Sequence, residues 1–148
     1  MCSSDLLVAA NVGRDPSPPN VREAIKASAN PALPETERLA ALKVAFFAPG
    51  NDPRSWLDGW HPDVLNAERI AGDKTPREED YAAGHAPVLY LQPDHDPLGR
   101  VEDAQEYKRA LGDRVTVVVI PNASHAVITE QADAVAAELV KYAKALPQ

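Results

Sequence analysis

Six consecutive residues near the C-terminal end, Val115-Thr116-Val117-Val118-Val119-Ile120, are all β-branched, and Pro121-Asn122 closes them. Side chains branched at Cβ fit a pleated surface, and a run with no polar alternation suits a strand covered on both faces. The spacing around this run predicts a repeating unit. Upstream, residues 86–92 (Ala-Pro-Val-Leu-Tyr-Leu-Gln) form a second short apolar run, opened by one proline and closed by Pro93. Between the two, Val101, Ala104, Tyr107 or Lys108, and Leu111 recur at helical spacing, and Gly112 stands where a left-handed C-terminal residue is expected. Downstream, Val135, Leu139, Tyr142 and Leu146 mark a closing helix, with Thr129 as its expected N-cap. Strand, helix, strand, helix predicts an α/β fold: parallel strands with flanking helices, joined by right-handed crossovers.

The rest of the chain has a different texture. Twelve of the fourteen prolines lie between Pro16 and Pro97. A short apolar run at residues 6–10 reads as a strand and breaks at Gly13 and Pro16. Three weaker helical patterns follow, carried by Val21 and Ile25, by Leu39, Leu42 and Phe46, and by Val64 or Leu65 with Ile70. Pro31, Pro34, Pro49, Pro53, Pro62 and Pro76 punctuate them, as expected of a small helical insertion. Both tryptophans and both phenylalanines fall between Phe46 and Trp60. Phe46, Phe47, Trp56 and Trp60 therefore either build a core for the insertion or face a pocket for a small apolar substrate.

Composition removes several classes of function. At 148 residues the chain suits one domain, and its longest apolar runs fall far short of the roughly 20 residues that span a bilayer. No membrane is therefore expected as a partner, and a net charge of -7, with the basic residues scattered, repels a phosphate backbone, so nucleic acid is not expected either. Cys2 is the lone cysteine, which excludes a disulfide scaffold. No phosphate-cradling glycine loop occurs and no metal-ligand spacing joins His61 and His85; His95 sits between Asp94 and Asp96, which suits a metal site or, equally, an ordinary turn, and no cofactor and no metal are expected. The expected location is the cytoplasm.

Ligand chemistry on parallel sheets collects at the carboxyl ends of the strands. Those ends are Pro93-Asp94-His95-Asp96-Pro97-Leu98 and Asn122-Ala123-Ser124-His125-Ala126. Asp94 or Asp96 can there meet His125, a carboxylate fixing the tautomer of an imidazole and stabilising its protonated form. By residue type alone, turn aspartates and a solvated histidine would be the commoner outcome.

Residues 86–146 resemble the C-terminal part of an α/β-hydrolase: an apolar strand, a turn ending in aspartate and followed by proline, a helix, a β-branched strand, a histidine turn and a closing helix. Pro93 stands where that family's turn usually has glycine, and Ala123-Ser124 where glycine is common before the histidine. The resemblance implies Asp96 as triad acid, His125 as triad base, and a helical cap inserted after a core strand. On this reading residues 1–6 are a non-native leader, 7–13 the remnant of a core strand, 14–84 the cap, and 85–148 the C-terminal α/β core. The nucleophile belongs upstream in chain order, on a Gly-x-Ser-x-Gly elbow. None of the seven glycines has a serine or cysteine two residues later; Asp15 and Asp52 follow at that distance but lack the closing glycine. The expectation is therefore a piece of a hydrolase acting on an ester-like bond, its nucleophile missing from this chain and the chain alone inactive. Two other readings stand beside it: a complete, non-catalytic small-ligand-binding module, and a relative of dehalogenases or epoxide hydrolases with an aspartate nucleophile.

Overall fold

A computed structural model describes residues 4–12, 17–58, 60–72, 74, 81–82 and 84–146. Three parallel strands, β1 (Asp5–Val8), β2 (Val88–Pro93) and β3 (Val115–Ile120), lie side by side in chain order. Leu7 pairs with Tyr90, and Tyr90 with Val117. β2 runs in the middle and is buried at every position, as its unbroken apolar run requires. β1 takes in Asp5 and Leu6, two residues of the segment read as a leader, and stops before Ala9, whose φ is 49°.

The period of two sends alternate side chains of β2 to opposite layers. Leu89 and Leu91 join Ile120, Val127 and Val135 on one face, with Leu139 and Tyr142 packed against them. Val88 and Tyr90 join Val115, Ala104 and Tyr107 on the other. The second layer is supplied by the crossover helix α4 (Val101–Leu111), which spans the residues its periodicity predicts. Gly112 ends it with φ 72° and ψ −151°, a glycine conformation, though not the left-handed helical one expected.

The insertion folds as α1 (Pro19–Ser28), α2 (Glu35–Ala45), a short 3-10 turn (Arg54–Trp56) and α3 (Pro62–Gly72). Pro18 and Pro34 stand at the N-caps of α1 and α2, and Pro62 begins α3. Fixed proline φ angles thus set where each helix starts. Pro76, the last breaker of the pattern, lies outside the described residues. Ala24, Ala41, Leu42, Ala45, Phe46 and Phe47 form a third apolar cluster, and Ala126 of the histidine turn is part of it. The insertion is therefore fused to the sheet at the carboxyl ends of the strands.

The C-terminal end departs from expectation in one respect. The chain makes a single helical turn, α5 (Val127–Glu130), before the long helix α6 (Ala132–Ala145). Thr129 lies inside that turn, and its hydroxyl accepts a hydrogen bond from Trp56 Nε1 at 3.0 Å rather than capping α6.

Candidate active site

The loops that leave β2 and β3 are laced together by their backbones. Asp94 N–H donates to Ile120 O at 3.1 Å and His95 N–H to Ala123 O at 2.9 Å. Ala123 N–H donates back to Asp94 Oδ1 at 3.2 Å, and Ser124 Oγ to His95 O at 3.2 Å. Asn122 turns the second loop with φ 56°, a left-handed conformation that asparagine tolerates better than other side-chain-bearing residues.

This lacing delivers Asp96 to His125. Asp96 Oδ2 lies 3.0 Å from His125 Nδ1, and Oδ1 accepts the backbone N–H of Leu98 at 2.8 Å. The Asp96 side chain is wholly buried, whereas 29% of the His125 side chain remains exposed. A carboxylate only accepts, so the pairing places a proton on Nδ1 and leaves Nε2 as the basic nitrogen. Asp94 makes no such approach: its Oδ2 lies 3.9 Å from Nε2 of the exposed His95. His61 and His85 are exposed. Among the described residues no cluster of three or more His, Cys, Asp or Glu could hold a metal ion. No helix among them is long and apolar enough to cross a membrane.

Tyr90, in the middle of β2, is wholly buried, and its phenol donates to Ala10 O. Burial pushes that phenol well above its ordinary pKa, and the Asp96 and Asp103 carboxylates push it further in the same direction.

The aromatic residues divide. Phe46 and Phe47 are buried in the third apolar cluster, with 6% and 4% of their surface exposed. Phe46 nonetheless reaches the site: its ring centroid is 5.8 Å from that of His125, 5.5 Å from Trp56 and 5.6 Å from Trp60. Trp56 and Trp60 are only partly buried, and with Ser55 and Asp58 they line a cleft of about 370 Å³. Phe47 packs edge-on against Trp56 at 5.3 Å and borders a separate cleft of about 490 Å³ that reaches His95 and Ser124.

Sequence reasoning passes over Glu130. Its Oε1 accepts Ala48 N–H and Asn51 Nδ2, each at 2.6 Å, and its Oε2 accepts Ser124 N–H at 2.6 Å. In the sequence it sits in the polar stretch Thr129-Glu130-Gln131 and reads as a surface helix residue; no spacing marks it.

A parallel sheet whose strand ends present a buried carboxylate hydrogen-bonded to a partly exposed histidine, under a helical insertion, defines the fold class of the α/β hydrolases. The profile of the alpha/beta hydrolase family matches residues 2–138, and the chain belongs to that family. No curated protein sequence matches it significantly. Among solved structures it resembles a Mycobacterium tuberculosis protein named as a non-heme bromoperoxidase, with 22% identity, a TM-score of 0.66, and coverage of 99% of this chain and 59% of that one. An esterase from Rhodococcus sp. ECU1013 aligns at 18% identity and a TM-score of 0.67, over 98% of this chain and 57% of the esterase. A thermophilic esterase from Thermogutta terrifontis aligns at 17% identity and a TM-score of 0.61, over 96% of this chain and 56% of the other. At these identities the likeness is one of fold. The chain spans somewhat more than half the length of each.

Proposed function

We propose that this chain supplies the base and the acid of a nucleophile–His–Asp triad in a hydrolase of ester, lactone or related bonds. The observation that carries the reading is the 3.0 Å contact between the buried Asp96 carboxylate and His125 Nδ1. In the reaction, Nε2 of His125 takes the proton of the attacking hydroxyl as the new acyl bond forms, then passes it to the departing alkoxide. Water repeats the sequence on the acyl intermediate, regenerating the free nucleophile. Asp96 stays ionised throughout and stabilises the imidazolium, which a burial this complete makes more effective than in water.

The nucleophile in this reading comes from polypeptide outside the 148 residues, because no Gly-x-Ser-x-Gly elbow occurs among them. Ser124, the serine beside the base, donates its hydroxyl to a backbone carbonyl instead. Trp56 and Trp60, which face the cleft, are the residues proposed to meet a small apolar substrate. Phe46 backs the histidine from within the cap.

The 148-residue chain by itself should hydrolyse a nitrophenyl ester no faster than its denatured form. Turnover that disappears in His125→Ala would contradict the reading by placing a nucleophile within this chain. Coding sequence upstream that encodes a Gly-x-Ser-x-Gly elbow supports it.

A further inference from the structure

Residues 46–51, which leave α2, and residues 122–126, which carry His125, are far apart in the chain yet joined at four points. Ala126 N–H donates to Phe46 O at 2.9 Å. Asn51 Nδ2 donates to Asn122 O at 3.1 Å. The other two joints pass through one carboxylate: Glu130 holds Ala48 N–H and Asn51 Nδ2 on Oε1 and Ser124 N–H on Oε2. One residue earlier, Thr129 holds Trp56. The single helical turn α5 therefore grips the cap with two consecutive side chains, and the amide it fixes on the core side belongs to the residue immediately before His125.

We propose that Glu130 is a positioning residue, its carboxylate locking cap residues 46–51 to the histidine turn so that His125 stays aligned with Asp96. The inference rests on the reading of His125 as the base. All three partners of Glu130 are N–H donors, which only a carboxylate can satisfy together. An amide of the same size must turn its own N–H2 toward at least one of them. Hydrogen bonds to a charged acceptor are about twice as strong as neutral ones, so the lock is worth more than its length in the chain suggests. It also ties the orientation of the base to the seating of the cap: a displacement of residues 48–51 pulls on Ser124 through one carboxylate, and Ser124 is bonded to His125.

The test uses the polypeptide that joins these residues to their nucleophile and two NMR readouts, amide hydrogen exchange residue by residue and the Nδ1 proton resonance of His125. Glu130→Ala should speed exchange of the Ala48 and Ser124 amides at least about tenfold, the loss expected when a charged acceptor is removed, while Leu89 and Leu91 in β2 exchange as before. The same change should broaden the Nδ1 resonance. Glu130→Gln fills the same volume and should speed at least one of those two amides and broaden the resonance too, which a side chain that merely filled space would not do. If Glu130→Ala loses protection in β2, Glu130→Gln carries the test. Exchange at Ala48 and Ser124 unchanged in Glu130→Gln, or a resonance as sharp as in the parent, overturns the proposal. Asp96→Asn separates the two layers of the argument: it should abolish the resonance while leaving Ala48 and Ser124 protected. A resonance indifferent to Asp96→Asn would sink the pairing itself, whatever Glu130 does.

Discussion

Replacing Phe46 with alanine tests whether helices α1 and α2 and the site share one core. Phe46 is 6% exposed and its ring touches three others: Trp56 at 5.5 Å, Trp60 at 5.6 Å and His125 at 5.8 Å. Truncating a buried phenylalanine costs about 3–5 kcal/mol through lost transfer energy and the cavity left behind. Each aromatic contact adds about 0.5–1.5 kcal/mol beyond burial, which puts Phe46→Ala in the upper part of that range. Phe47 is as deeply buried, at 4%, but its ring meets only Trp56, at 5.3 Å, among the described aromatic pairs. Phe47→Ala belongs in the lower part. For a chain of this size a kilocalorie moves the melting temperature by about 4 °C, so Phe46→Ala should lower it by about 16–20 °C and Phe47→Ala by about 12–16 °C. Calorimetry reads the losses, and the Nδ1 resonance of His125 reads the site. Phe46→Ala should broaden that resonance and Phe47→Ala should leave it sharp. Phe46→Leu, which keeps an apolar side chain but removes the ring, should show the same asymmetry if the alanine variant is unfolded. Equal melting losses with equal effects on His125 would refute the shared core.

Other perturbations probe the sheet and the pocket. Trp60→Ala should shift preference among acyl chain lengths in the active enzyme more than it lowers the melting temperature, because Trp60 lines the cleft and is only partly buried; a variant that unfolds with selectivity intact would return Trp60 to the cap core. Gly99→Ala should lower the urea midpoint by the equivalent of about 1–3 kcal/mol, since an added Cβ would lie 2.8 Å from the backbone oxygen of Ala10; an unchanged midpoint would mean that this backbone yields. Alkaline pH should weaken the fold through Tyr90. Its folded pKa is raised above the ordinary 10.0, so the unfolded chain ionises first and stability, fully present below that value, falls as pH rises beyond it. Tyr90→Phe should flatten that decline in urea titrations, and a slope identical to the parent's would contradict the assignment.

The elements that were legible in the sequence were those with a local signature. β3 and α4 occupy the residues their patterns predict, because a β-branched run ended by Pro121 and a helical period ended by Gly112 leave little freedom at either boundary. The proximity of Asp96 and His125 was legible for a topological reason: both follow neighbouring parallel strands, so both emerge at one edge. Resemblance to a family was needed to choose Asp96 over Asp94, since two aspartates in one turn look alike until the buried side chain is seen. The aromatic cluster was visible but not its division into core and cleft, which depends on burial rather than spacing. Glu130 was not legible at all. Its bond to Ala48 joins positions 82 residues apart, and hydrogen bonds at such separation leave no periodicity to read. Thr129 misled for a related reason: a threonine before a helix suggests a cap, and the tertiary bond to Trp56 took the hydroxyl instead.

The central claim, that the Asp96–His125 pair runs the proton transfers of a hydrolase, is tested most directly by comparing Asp96→Asn with Asp94→Asn in the polypeptide that joins these residues to their nucleophile. Asp96→Asn should leave the fold and KM nearly unchanged and lower kcat by about 10⁴-fold, the scale known for that change in serine protease triads, because the amide cannot stabilise the imidazolium and favours the wrong tautomer. Asp94→Asn should lower kcat by far less, its carboxylate serving the Ala123 amide and the exposed His95 rather than His125. Equal losses from the two changes would contradict the assignment of Asp96, and an Asp96→Asn enzyme as active as its parent would contradict the triad.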